Sequence, residues 1–185
     1  MDPHDVQRVA EWIRSSIGVQ FIVVGGSAIE RIVPVATKDV DVLIDESDWA
    51  KIDAAIESRE EAAPLEPFGG TIRGTIVAIG GASIDLEFLS DSTFNGTREP
   101  GSFLRYVREQ GSIDFDGVRY AKPAVVFYMR LNAPESWESY VPSIERDIQS
   151  GVTPSELEGA IEIANRFGVG ARTTQRVAFV RSLIG

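Results

Sequence analysis

Asp39 and Asp41 stand two positions apart in the apolar run DVDVLI, residues 39–44. On a β-strand, residues at i and i+2 project from one face, so the two carboxylates lie roughly 6–7 Å apart along the backbone. Like charges that close raise each other's pKa unless a cation lies between them. The chain has no cysteine, and His4 is its only histidine. The available ligands are therefore hard oxygens, which select Mg²⁺ or Mn²⁺. Taken alone, the pair also suits the solvated face of an edge strand. A third acid on a neighbouring strand would turn the pair into a site. The segment SIDLEFL, residues 83–89, alternates so that Ile84, Leu86 and Phe88 point one way and Asp85 and Glu87 the other. Asp85 is the first candidate, and Glu87 shares its face. An EF-hand-type calcium loop does not fit, because Val40, Val42, Leu43 and Ile44 are apolar and no turn glycine follows.

A second feature precedes the acids. The apolar run Phe21 to Val24 ends at Gly25-Gly26-Ser27, which reads as strand, turn and short helix. Such a turn offers backbone N–H groups and a hydroxyl to phosphate oxygens. The G-x-G-x-x-G spacing of dinucleotide sites is absent. Paired divalent ions on such acids can activate an attacking hydroxyl and hold triphosphate oxygens for in-line displacement. Chelating pair, phosphate cradle and third acid thus come from three segments that could converge.

These residues resemble the nucleotidyltransferase superfamily that includes DNA polymerase β, particularly its small prokaryotic members. The shared pattern is an apolar strand, Gly-Gly or Gly-Ser, a spacer, and Asp-x-Asp in a second strand. Here eleven residues separate Gly26-Ser27 from Asp39-Val40-Asp41. Ile84-Asp85-Leu86 matches the apolar-acid-apolar form of the later strand. The wording VVGGSAIE…ATKDVDVLI is most similar to the AbiEii-type nucleotidyltransferase toxins, which often have a basic residue where this chain has Val35. The resemblance covers Phe21 to Leu89.

It implies an α+β fold, a nucleotidyltransferase-like mixed sheet flanked by helices, with a helical C-terminal subdomain. It implies transfer of NMP from an NTP to an acceptor hydroxyl with release of pyrophosphate, using Mg²⁺ or Mn²⁺. Asp39, Asp41 and Asp85 would be the metal ligands and catalytic acids. Gly25, Gly26 and Ser27 would bind the nucleotide's phosphates, joined by Arg130 on a later helix. Arg146-Asp147 matches a basic-acid pair seen in many relatives, although Arg130 and this pair would equally suit ion pairing within the protein. The acceptor could be tRNA, a protein or a small molecule. A catalytically silent nucleotide- or partner-binding protein, such as one half of a toxin–antitoxin pair, is the alternative.

Elements around these motifs follow from simple patterns. Asp2 and Pro3 start a first helix with Val6, Val9, Ala10, Ile13 and Ile17 on one face and Gly18 as its stop. Residues 47–61 read as a second helix capped by Ser47, followed by a loop at Pro64, Pro67 and Gly69-Gly70. A hairpin turns at Gly80-Gly81, a short helix spans 101–109, and a second hairpin turns at Asp116-Gly117. Helices are expected over 123–131 and 137–149. A capping box, Thr153-Pro154-Ser155-Glu156, starts another. The last carries Val177, Val180 and Ile184. We place the core in residues 1–121 and the helical subdomain in 122–185.

With 185 residues, 43% hydrophobic and 25% charged, the composition is that of an ordinary globular domain. The lack of cysteine and of any membrane-length apolar run points to the cytoplasm. A net charge of −10 opposes bulk nucleic-acid binding but permits a nucleotide bound through divalent metal. Beyond Glu162 the chain has no acid but carries Arg166, Arg172, Arg176 and Arg181. Arg172 and Arg176 share a helix face, where an ordinary solvated surface is favoured over a phosphate contact.

Overall fold

The computed structural model describes residues 3–58, 63–64, 72–79, 81–133 and 137–184. The Asp2 cap, the far end of the second predicted helix, the loop at Pro67 and Gly69-Gly70, and Gly80 lie outside the described residues. Among the described residues, seven strands form one mixed sheet in the order β3-β4-β5-β2-β1-β7-β6. These are β1 (Phe21–Val24), β2 (Asp39–Ile44), β3 (Ala63–Pro64), β4 (Ile72–Ile79), β5 (Ala82–Ser90), β6 (Ser112–Phe115) and β7 (Val118–Ala121). Strand β2 pairs antiparallel with β1 and parallel with β5, so the two acid-bearing strands are immediate neighbours. Val40, Val42, Leu43, Ile44, Leu86 and Phe88 are buried to within 1% of full enclosure. Their alternation fixes the register, since a slip of one residue would send the acids into the core.

Helices flank the sheet. Helix α1 (Pro3–Trp12) runs into a wider turn over Ile13–Ile17, and Gly18 stops it with φ 72°, its N–H donating to the Ile13 carbonyl at 2.9 Å. Helix α2 (Gly25–Glu30) follows β1 with no linker. Helix α3 (Trp49–Glu57) is preceded by a 3-10 turn whose cap is Asp45, not Ser47: the Asp45 carboxylate accepts the Ser47 N–H at 2.9 Å. Helix α4 (Ser102–Glu109) leads to the β6–β7 hairpin, turned at Asp116 (φ 51°) and Gly117 (φ 75°).

The remaining elements among the described residues are helical: α5 (Pro123–Leu131), α6 (Val141–Gln149), α7 (Glu156–Arg166) and α8 (Gly170–Ile184). The helix expected over 137–149 is split. Residues Trp137–Tyr140 form a 3-10 turn, and α6 starts at Val141-Pro142, where proline's missing N–H costs nothing. The capping box does not form either. Ser155 at the N-cap of α7 makes no capping bond, and the Glu156 carboxylate instead accepts the Ala124 N–H at 3.1 Å, closing the first turn of α5. An aromatic cluster of Phe103, Tyr128 and Phe167 locks α4, α5 and the end of α7 together. The Tyr128 hydroxyl donates to the Phe94 carbonyl at 2.7 Å, fixing a 3-10 turn at 91–94. No described helix is long and apolar enough to cross a membrane.

Candidate active site

A cleft of about 530 Å³ opens where β1 ends and β2 begins. The register pairs Val24 with Asp41, so the start of α2 sits beside that carboxylate. Gly25 has φ 61°, and a Cβ there would overlap Asp41 Oδ2. A Cβ on Gly26 would come within 2.5 Å of Thr37 Cγ2. Both glycines therefore have a spatial reason: the backbone of the turn passes against the acid strand and against the segment leading into it. The Gly26 N–H donates to the Asp41 carboxylate.

Across β2 and β5, Asp39 pairs with Asp85 and Asp41 with Glu87. Four carboxylates thus share one sheet face, but the cleft does not treat them alike. Asp39, Asp41 and Glu87 line it, whereas Asp85 is exposed and outside the lining. Burial raises Asp41 well above the usual carboxylate range, and the charges of Asp39 and Glu87 push it further; Arg130 and the Gly26 N–H act in the opposite direction. Glu87 is also raised, first by burial and then by Asp39, while a hydrogen bond with Asp41 lowers it.

Among the described residues, no group of three or more His, Cys, Asp or Glu is already gathered as a metal cage. The chemistry of the cleft nevertheless fits a hard divalent cation. Its ligands are all oxygen, and Asp39, Asp41 and Glu87 crowd like charge into one cleft, each of the last two raised in part by Asp39. A divalent ion would relieve that repulsion.

Other predicted residues fall in different places. Ser27 is 2% exposed and does not line the cleft; its hydroxyl donates to the Asp39 backbone carbonyl at 2.6 Å, tying α2 to the first residue of β2. Arg130 lines the cleft, almost enclosed, and its Nη1 is ion-paired with the buried carboxylate of Asp147. Arg146 lines the cleft too, and bonds the other oxygen of Asp147 through Nε at 3.2 Å and Nη2 at 3.0 Å. Val35 is buried, while the exposed Lys38 contributes a cation to the cleft lining.

Arg172 stays exposed and Arg176 half-buried, and both reach back to the end of α5. Arg172 donates to Asn132 Oδ1 through Nε at 3.3 Å and Nη2 at 3.2 Å, and Arg176 donates to the Leu131 carbonyl while lying over the Trp137 ring. They fasten α8 to the C-terminal end of α5.

Sequence reasoning did not single out Tyr140, Phe94 or Met129, which supply much of the remaining wall. Burial raises the Tyr140 phenol, and the Asp41 and Glu87 charges add to that, placing it within their electrostatic reach. No spacing rule marks it, because it sits at the junction of a 3-10 turn and α6.

No family model matches the chain, and no curated protein matches it. Several solved structures resemble it. JHP933 from Helicobacter pylori aligns over 97% of this chain and 88% of its own, at 10% identity and a TM-score of 0.46. ANT(2")-Ia in complex with adenylyl-2"-tobramycin aligns over 99% and 98%, at 13% identity and 0.45. The Megavirus polyadenylate synthase aligns over 80% of this chain and 31% of its own, at 12% identity and 0.46. At such scores the likeness is one of broad chain path, and the chemistry has to be read from this chain's own residues.

Proposed function

We propose that the chain is a metal-dependent nucleotidyltransferase, moving NMP from an NTP to an acceptor hydroxyl with release of pyrophosphate. The observation that carries this reading is the β2–β5 register. It brings Asp39, Asp41 and Glu87 into one cleft with the Gly25-Gly26 turn. We assign the third acid to Glu87 in place of Asp85, because only Glu87 faces the cleft. Mg²⁺ or Mn²⁺ held by these three carboxylates would supply positive charge at the transferring phosphoryl group.

The chain's own groups divide the remaining work. The turn at Gly25 and Gly26 brings backbone N–H groups to the cleft, and Arg130, Arg146 and Lys38 add positive charge for the triphosphate. The acceptor oxygen bonds to the α-phosphorus as the bond to the leaving pyrophosphate breaks, and the acidic cluster is placed to receive the hydroxyl proton. The test is incubation with labelled NTPs, Mg²⁺ and cell extract, comparing wild type with Asp41→Ala. Label on RNA, protein or a small molecule that disappears in the mutant supports the reading; absence of any Asp41-dependent label sinks it.

A second reading, a silent nucleotide- or partner-binding protein, draws on the absence of a ready-made three-ligand cage among the described residues. Saturable MgATP binding with no Asp41-dependent transfer would select it.

A further inference from the structure

Asp147 is fully buried and carries an arginine on each oxygen: Arg130 on Oδ2 and Arg146 on Oδ1. Those arginines come from different helices, α5 and α6, and both line the cleft. Two guanidinium groups on one carboxylate leave a net positive charge. It lines the same cleft as the three acids, and Arg130 acts on Asp41 electrostatically.

We propose that Asp147 is a positioning residue that holds Arg130 and Arg146 as a paired clamp for the β- and γ-phosphates of a nucleoside triphosphate. This inference rests on the nucleotide-binding part of the function proposed above. Without the shared carboxylate, two arginines aimed at one cleft would repel each other and swing apart. With it, each side chain is fixed before substrate arrives, so less ordering is needed on binding.

The two arms differ in what they can still do. The Arg130 side chain is 9% exposed and enclosed by its own helix and by Asp147. The Arg146 side chain is 46% exposed, and among the described residues its Nη1 has no partner. Arg146 is thus the arm that reaches a phosphate directly, while Arg130 supplies charge from behind. Stability alone is a weak reason for this arrangement, since a buried ion triad is commonly replaceable by apolar residues without loss. A clamp of this kind distinguishes a triphosphate from a monophosphate, because only the former extends beyond the α-phosphate.

The experiment measures MgATP and MgAMP affinities by calorimetry for wild type, Asp147→Asn, Asp147→Glu and Arg146→Gln, with circular dichroism melts on each. Asp147→Asn should weaken MgATP binding roughly tenfold, the value of a lost charge-assisted contact, while leaving MgAMP nearly unchanged. Asp147→Glu should restore part of the ATP-over-AMP preference, and Arg146→Gln should lose it with the fold intact. A folded Asp147→Asn protein with the wild-type preference overturns the inference. If Asp147→Asn does not fold, an unchanged preference in Arg146→Gln overturns it. Failure of the wild type to bind MgATP at all would instead overturn the function on which the inference rests.

Discussion

Asp41 and Glu87 stand in register across neighbouring parallel strands and line one cleft, where burial raises both carboxyls. Asp85, two residues earlier on the same face, meets only Asp39 across the strand and points outside the cleft. The pair therefore separates two acids that the alternation of β5 leaves equivalent.

The first prediction uses that separation. Glu87→Gln should reduce metal-dependent transfer on the order of 10²-fold or more, as expected for a ligand or base at the reacting centre. Asp85→Asn should stay within about twofold. Pyrophosphate release with labelled NTP measures both, and the reverse ranking would return the third position to Asp85.

A second prediction concerns pH. Asp41 and Glu87 are both raised in the folded chain, and Asp91, buried beside Asp45, is raised as well. Between the unfolded carboxylate values, near pH 4, and the raised folded ones, the native state holds more protons than the unfolded state. Stability should therefore fall as pH rises through that window and level off above it. Asp41→Asn should flatten much of the slope in melts taken in a chelator from about pH 5 to 8. Mg²⁺ must displace the same protons, so its affinity should increase with pH, with proton release detectable by calorimetry in buffers of different ionisation enthalpy.

Gly25 supplies a third. Alanine there would adopt φ 61° and drive its Cβ into the Asp41 carboxylate. We expect a loss of about 1–3 kcal/mol in denaturant unfolding together with loss of metal binding. A stable Gly25→Ala protein that binds metal normally would show that the turn tolerates a side chain.

Ser27 provides a fourth. Its hydroxyl is committed to the Asp39 carbonyl at 2.6 Å, so Ser27→Ala should cost about 1 kcal/mol of stability and barely alter MgATP affinity. Weaker nucleotide binding at unchanged stability would mean that the hydroxyl serves phosphate after all.

The strands, the glycine turn and the positions of Asp39 and Asp41 were legible because strand alternation and apolar runs encode them locally. Which of Asp85 and Glu87 lines the cleft was not, since that depends on where the cleft lies along β5. The capping box failed for a related reason: Thr153, Ser155 and Glu156 satisfy a local pattern, yet Glu156 found a nearer donor at Ala124 on another helix. Arg172 and Arg176 were legible as a shared face, but their destination at Asn132 and Leu131 lies about forty residues away in sequence.

Those last two contacts give α8 a mechanical part to play. By gripping the end of α5 it splints the helix that carries Arg130. The carboxyl-terminal helix thus acts as a brace on the last turn of the helix whose Arg130 lines the cleft.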